Sequence, residues 1–186
     1  MANQPTINWT LSKWLAFKTD HARDLVIASV NALDPEFSAQ NCRNLLAAHG
    51  QFRQLVNPVY DDPVMQRMFV EVMAERGDEL ISSPNPKADN PNTAFVKCSS
   101  KLPLGLVPRM AWLYASQFAD RGLAQLSYMA RLADSDFKLD FDEHGRIWNA
   151  FRRELDQLNL SEADEERLAI GVQSALKVYC GFLNRG

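Results

Sequence analysis

The sequence predicts an all-α fold, a multi-helical bundle, and three observations carry that reading. Apolar residues recur at helical spacing along most of the 186 residues. No strand-like alternation extends beyond a few positions. Prolines and glycines gather at a few points that divide the periodic stretches, and no segment repeats. The length fits one domain spanning 1–186 with a loop at about 82–103. A chain of this size buries roughly 70% of its unfolded surface, so it needs no disulfide or metal staple.

The first helix is expected over 10–33, where Leu11, Leu15, Lys18, Ala22, Leu25 and Ser29 follow i, i+4, i+7 spacing, and Asp34-Pro35 ends it. Ser38 caps a second helix to about residue 56, with Leu45, Leu46, Phe52 and Leu55 on its apolar side and Pro58 closing it. Asp62-Pro63 reads as a helix start, an acidic cap with proline in the first turn. That third helix carries Val64, Met68, Phe69, Val72, Met73 and Leu80. The polar run SSPNPKADNPN is a loop, and 93–102 is a short-helix candidate.

Pro108 opens a fourth helix that reaches about residue 133. Met110, Trp112, Leu113, Tyr114, Phe118, Leu123, Leu126, Met129 and Leu132 make it apolar over so much of its surface that a central position follows. Gly122 lies in its middle, where glycine costs about 1 kcal/mol relative to alanine. After the connector DSDFKLDFDEHG a fifth helix spans about 142–158. Ser161 with Asp164 resembles a capping box and opens the sixth helix, which runs to the end.

Composition is ordinary for a globular chain, with 46% hydrophobic and 23% charged residues. A net charge of −3 gives no basic face for nucleic acid or an anionic membrane. Cys42, Cys98 and Cys180 are odd in number and far apart, which predicts free buried thiols rather than a zinc site or disulfide framework. The opening residues have no apolar leader core, and no run approaches the ~20 residues that span a bilayer. A cytoplasmic setting is expected. There is no Gly-rich phosphate loop, no His-Glu-x-x-His and no Gly-x-Ser-x-Gly, so these patterns name no chemistry.

The segment Ile147 to Phe182 resembles the C-terminal region of the heme oxygenases. It carries the aromatic-arginine pair Phe151-Arg152, then Leu155, the corner Leu158-Asn159-Leu160, the acidic start Ser161-Glu162 and an Ala-rich helix ending in aromatics. The fourth helix resembles that family's distal helix. Ala111 and Tyr114 match its start, and Ala119-Asp120-Arg121-Gly122-Leu123-Ala124-Gln125 lies where the family has a glycine-rich motif. Near the N-terminus, Leu15-Ala16-Phe17-Lys18-Thr19 is similar to the family's Leu-Lys-x-x-Thr.

The resemblance implies a heme-oxygenase-like bundle holding heme between a proximal first helix and a kinked distal one. It implies that Asp120 is the catalytic residue, ordering water beside the bound ring. It implies that His21 ligates the iron, that Arg152 holds a propionate, and that Tyr114 and Gly122 line the heme. With electrons from a reductase or ferredoxin, such a protein opens heme to biliverdin, iron and carbon monoxide.

This sequence departs from the pattern at several positions. The family's histidine aligns with Arg23, which stays protonated and offers no lone pair to iron. His21 and Arg23 are two residues apart, about 200° around a helix. Ala16 replaces a family lysine, Trp148 stands where a second basic contact falls, and Ala119, Leu123 and Ala124 replace glycines. His49 lies on the second helix, where the family has no ligand, and His144 reads as a solvated helix-start residue. The alternatives are a non-catalytic heme or tetrapyrrole binder, a protein that keeps the fold without heme, a thiaminase-like or di-iron relative, and a partner-binding protein using the 82–92 loop with Trp9 and Trp14.

Overall fold

The computed structural model describes residues 9–33, 39–74, 105–132 and 145–185. Among the described residues every regular element is a helix: α1 Leu11–Lys18, α2 Asp20–Leu33, α3 Ala39–Tyr60, α4 Pro63–Met68, α5 Leu106–Leu132, α6 Arg146–Asp156 and α7 Glu162–Leu183. Residues 70–74 add a further helical stretch. The loop at 82–103, the short-helix candidate at 93–102 and His144 lie outside the described residues.

The expected first helix is two helices. Thr19 separates them with φ −107° and ψ 7°, and its hydroxyl donates to the Leu15 carbonyl at 2.7 Å. A threonine bonded back onto the preceding turn competes with the backbone ladder and bends a helix. The second helix runs past Pro58 to Tyr60. Pro58 is exposed, so its missing N–H falls on the solvent side of the last turn.

The expected third helix breaks at Phe69, whose backbone leaves the helical region at φ −124° and ψ 58°. Phe69 is fully buried against the Phe151 ring, 5.3 Å between centroids. The stretch that restarts after it receives help from a distant carboxylate: the Glu71 N–H donates to Glu154 Oε1 at 2.7 Å.

Two sequence-level caps hold. The Asp62 side chain accepts from the N–H groups of Val64 and Met65, and Arg109 pairs with its other oxygen at 2.6 Å. Ser161 accepts from the Asp164 N–H, and its hydroxyl donates back to the Asp164 carboxylate at 2.7 Å. Thr10 gives α1 no such side-chain cap. Asp156, at the end of α6, supplies one instead by accepting from both the N–H and the hydroxyl of Ser12, at 2.7 and 3.0 Å.

Helices α5 and α7 form the centre. α7 packs against α5, α2, α3 and α1, while α5 also meets α3, α4 and α6. The two approach closely where Gly171 of α7 faces Ala111 of α5. Leu15, Phe52, Met110, Leu113, Phe151, Leu168 and Leu176 are fully buried at these junctions. Each such side chain contributes roughly 1.5–3 kcal/mol by leaving water. No helix among the described residues is long and apolar enough to cross a membrane.

Candidate functional site

Helix α5 carries two clusters of chemically capable side chains on different faces. Tyr114, Phe118 and Arg121 recur at i, i+4 and i+7, so they share one face. That face looks toward α2 and α6. The Arg23 guanidinium from α2 lies over the Phe118 ring at 5.0 Å, and the Arg121 guanidinium lies over Trp148 of α6 at 5.6 Å. Trp148 meets Phe118, Tyr114 and Phe151 with centroids 6.4, 5.5 and 5.9 Å apart. The result is an aromatic patch edged by guanidinium groups.

Tyr114 is buried at the middle of this patch. Burial raises its phenol above the ordinary value, while the positive charges of Arg23, Arg152 and Arg121 pull it back down. Among the described residues, Arg23 Nε and Trp148 Nε1 are buried donors here without a hydrogen-bond acceptor. The Arg23 side chain donates a long hydrogen bond from a terminal nitrogen to the Ala16 carbonyl at 3.3 Å. A buried donor left unpaired costs about 1–3 kcal/mol, so a pair of them in one patch calls for an acceptor from outside.

The second cluster faces α3 and α7. Asp120 Oδ1 lies 2.8 Å from His49 Nε2 and 3.3 Å from Arg53 Nε. The His49 contact is short but lacks hydrogen-bond alignment. The Tyr179 hydroxyl lies 3.4 Å from His49 Nδ1. Burial, and secondarily the Asp120 charge, pushes the Tyr179 phenol far above its usual range. About one turn before Asp120 on α5, the Tyr60 hydroxyl contacts Ser116 Oγ at 3.0 Å and accepts from Gln117 Nε2 at 2.9 Å.

The structure brings Tyr114 and Arg152 to the first cluster and Asp120 to the second. It does not bring His21 to either, because that side chain is exposed on α2 while Arg23 turns inward. Gly122 is one turn beyond Phe118, and a Cβ built there would meet nothing within 4 Å. Leu123 and Ala124 are buried, at 2% and 6% exposure, so they pack inside the protein. Among the described residues no group of three His, Cys, Asp or Glu side chains is placed to hold a metal ion.

No family model matches this chain. It is 23% identical over 181 residues to the heme oxygenase PigA of Pseudomonas aeruginosa, which covers 94% of this chain and 91% of that protein. It superposes on the NO- and CO-bound heme oxygenase of Neisseria meningitidis with a TM-score of 0.64, at 21% identity, over 95% of this chain and 91% of the other. The fold is that of the heme oxygenases. The match runs nearly end to end, in agreement with the heme-oxygenase-like bundle expected from the sequence.

Within the heme-oxygenase fold, sequence reasoning passed over Phe118, Arg121, Arg53 and Tyr179. Phe118 and Arg121 carried a usable signal, their helical spacing from Tyr114. Arg53 and Tyr179 carried none, because they lie 67 and 59 positions from Asp120 in the chain and meet it only through packing.

Proposed function

We infer that this protein binds a tetrapyrrole, heme or its metal-free ring, in the region between α2 and α5. The observation that supports this most directly is Gly122. A glycine inside a helix costs about 1 kcal/mol relative to alanine. Among the described residues no atom stands within 4 Å of a Cβ built at Gly122, as is also true of Gly50 and Gly181, but Gly122 is the one of the three on the helix that carries the aromatic patch. A flat ligand lying against the backbone accounts for it. Tyr114, Arg152 and the aromatic patch line the same side of α5, and guanidinium groups suit the carboxylates that such rings carry.

The residues fit heme only in part. They suit its ring and its carboxylates. Among the described residues between α2 and α5 they offer the iron no imidazole, since His21 is exposed, the inward position belongs to Arg23 and His49 faces Asp120 on the other side of α5. The reading we favour is therefore binding without turnover. Oxidative ring opening to biliverdin, with electrons from a reductase or ferredoxin, is the second reading. It draws support from Asp120, whose carboxylate His49 and Arg53 hold in one position.

Titration with hemin and with protoporphyrin IX tests the proposal through quenching of tryptophan fluorescence. Saturation at one equivalent, with Gly122→Leu weakening it at least tenfold at unchanged helicity, is the expected result. If neither porphyrin saturates below about 10 μM, tetrapyrrole binding is refuted. Adding ascorbate or a reductase to the hemin complex separates the two readings. Biliverdin absorbance that vanishes in Asp120→Ala would favour the second. His21→Ala is expected to leave the hemin spectrum unchanged.

A further inference from the structure

We propose that Arg23 makes this site selective for a metal-free, carboxylate-bearing aromatic ring over the iron complex of the same ring. The inference rests on the tetrapyrrole reading above and names which form of that ligand the site takes.

Three observations converge on it. Among the described residues Arg23 leaves a buried Nε–H without an acceptor, and Trp148 of the same aromatic patch leaves its indole N–H without one. Both are donors, so the group that completes the site brings acceptor oxygens. The guanidinium of Arg23 already rests on an aromatic face, that of Phe118 at 5.0 Å, and the guanidinium of Arg121 rests on Trp148. Among the described residues no carboxylate forms an ion pair with Arg23, Arg121 or Arg152. The positive charges of Arg23, Arg152 and Arg121 all act on Tyr114, at the middle of the patch.

The chemistry then separates two ligands that differ only at the ring centre, where iron replaces two pyrrole N–H protons. A guanidinium remains protonated at any physiological pH and presents only donors. Over a metal-free ring it meets π electrons, an attractive contact like the one it makes with Phe118. Beside an iron(III) ring it meets a second cation and supplies no lone pair to it. The carboxylates are common to both ligands and bind the arginines equally. The difference therefore falls on the metal, since residue 23 aligns with the histidine that ligates iron in the heme oxygenases.

Protoporphyrin IX and hemin share one ring and two carboxylates, so titrating the full chain with each isolates the metal. Protoporphyrin IX is expected to bind at least tenfold more tightly than hemin. Its uncharged dimethyl ester is expected to bind at least tenfold more weakly than the free acid. Arg23→Gln should remove the preference, and Arg23→His should reverse it and give hemin a sharp Soret band at one equivalent. Circular dichroism of both variants checks that the helices persist. Hemin binding to the unaltered protein as tightly as protoporphyrin IX would overturn the selectivity and leave tetrapyrrole binding standing. An unchanged ratio in folded Arg23→Gln would remove Arg23 as its cause. Failure of both porphyrins to bind would remove the inference together with the reading beneath it.

Discussion

Gly171→Ala offers a direct probe of the junction between α5 and α7. A Cβ at residue 171 would stand 2.7 Å from the Ala111 Cβ. Carbon atoms settle about 3.5–4.0 Å apart, so the helices must separate by roughly 1 Å or bend. The atom met is a Cβ fixed to the backbone, with no flexible tip to swing aside. Overfilling a packed core costs about 1–3 kcal/mol. Alanine returns up to about 1 kcal/mol in helix propensity. The contact is shorter than packing tolerates, which puts the cost toward the upper end and the net loss at about 1–2 kcal/mol. Urea unfolding at constant m-value measures it. Ala111→Gly should destabilise the protein alone but partly rescue Gly171→Ala, giving a coupling of at least about 1 kcal/mol between adjacent sites. A Gly171→Ala protein as stable as the original, or two substitutions whose effects simply add, would refute the steric argument.

Other expectations follow from the same interactions. Gly122→Ala should raise stability by about 0.5–1 kcal/mol in urea unfolding, since its methyl enters open space. Asp120→Asn should lower stability by about 1–3 kcal/mol, because His49 and Arg53 lose the carboxylate that they share. Burial raises the Glu154 carboxyl above its ordinary 4.5, against the lowering effect of the Glu71 N–H. A raised value favours the folded state below 4.5, and that contribution is lost as pH rises through the folded value. Melting temperatures of Glu154→Gln should therefore gain on those of the original protein between pH 4.5 and 7.5. Asp62 behaves oppositely: the Met65 N–H, with Val64 and Arg109, holds its carboxyl below 3.8. The stability it supplies is full above 3.8 and disappears as pH falls through the lower folded value, so the gap to Asp62→Asn should close in acid.

Most helices were legible because their signals are local. The apolar spacing, Asp62-Pro63 and Ser161 with Asp164 act within one or two turns, and each reappears as a helix or a cap. The breaks at Thr19 and Phe69 were not legible. Thr19 can sit inside a helix as easily as end one, and its bond to Leu15 depends on the bend itself. Phe69 looks like one more apolar residue in a periodic run, and only the Phe151 ring 82 positions later explains its departure. The same distinction holds at the candidate site. Tyr114, Arg152 and Asp120 could be singled out by resemblance, whereas the partners that surround them come from three other helices. Residue 23 was readable as an arginine that offers iron no lone pair. That it stacks on Phe118 with a buried N–H to spare required the packing of α2 beside α5.

The carboxylate of Asp156 that closes the start of α1 has a consequence for how the chain is made. Ser12 leaves the ribosome 144 residues ahead of its partner. At synthesis rates of ~5–20 residues per second that is a wait of about 7–30 s. During it the exposed N–H groups at the start of α1 have only water to bond, and an isolated eight-residue helix is too short to hold itself. The cap on α1 therefore forms only after α6 has emerged, although α1 is made before it. A nascent chain stalled before residue 156 should leave its opening segment open to proteases, and one extended past α7 should not.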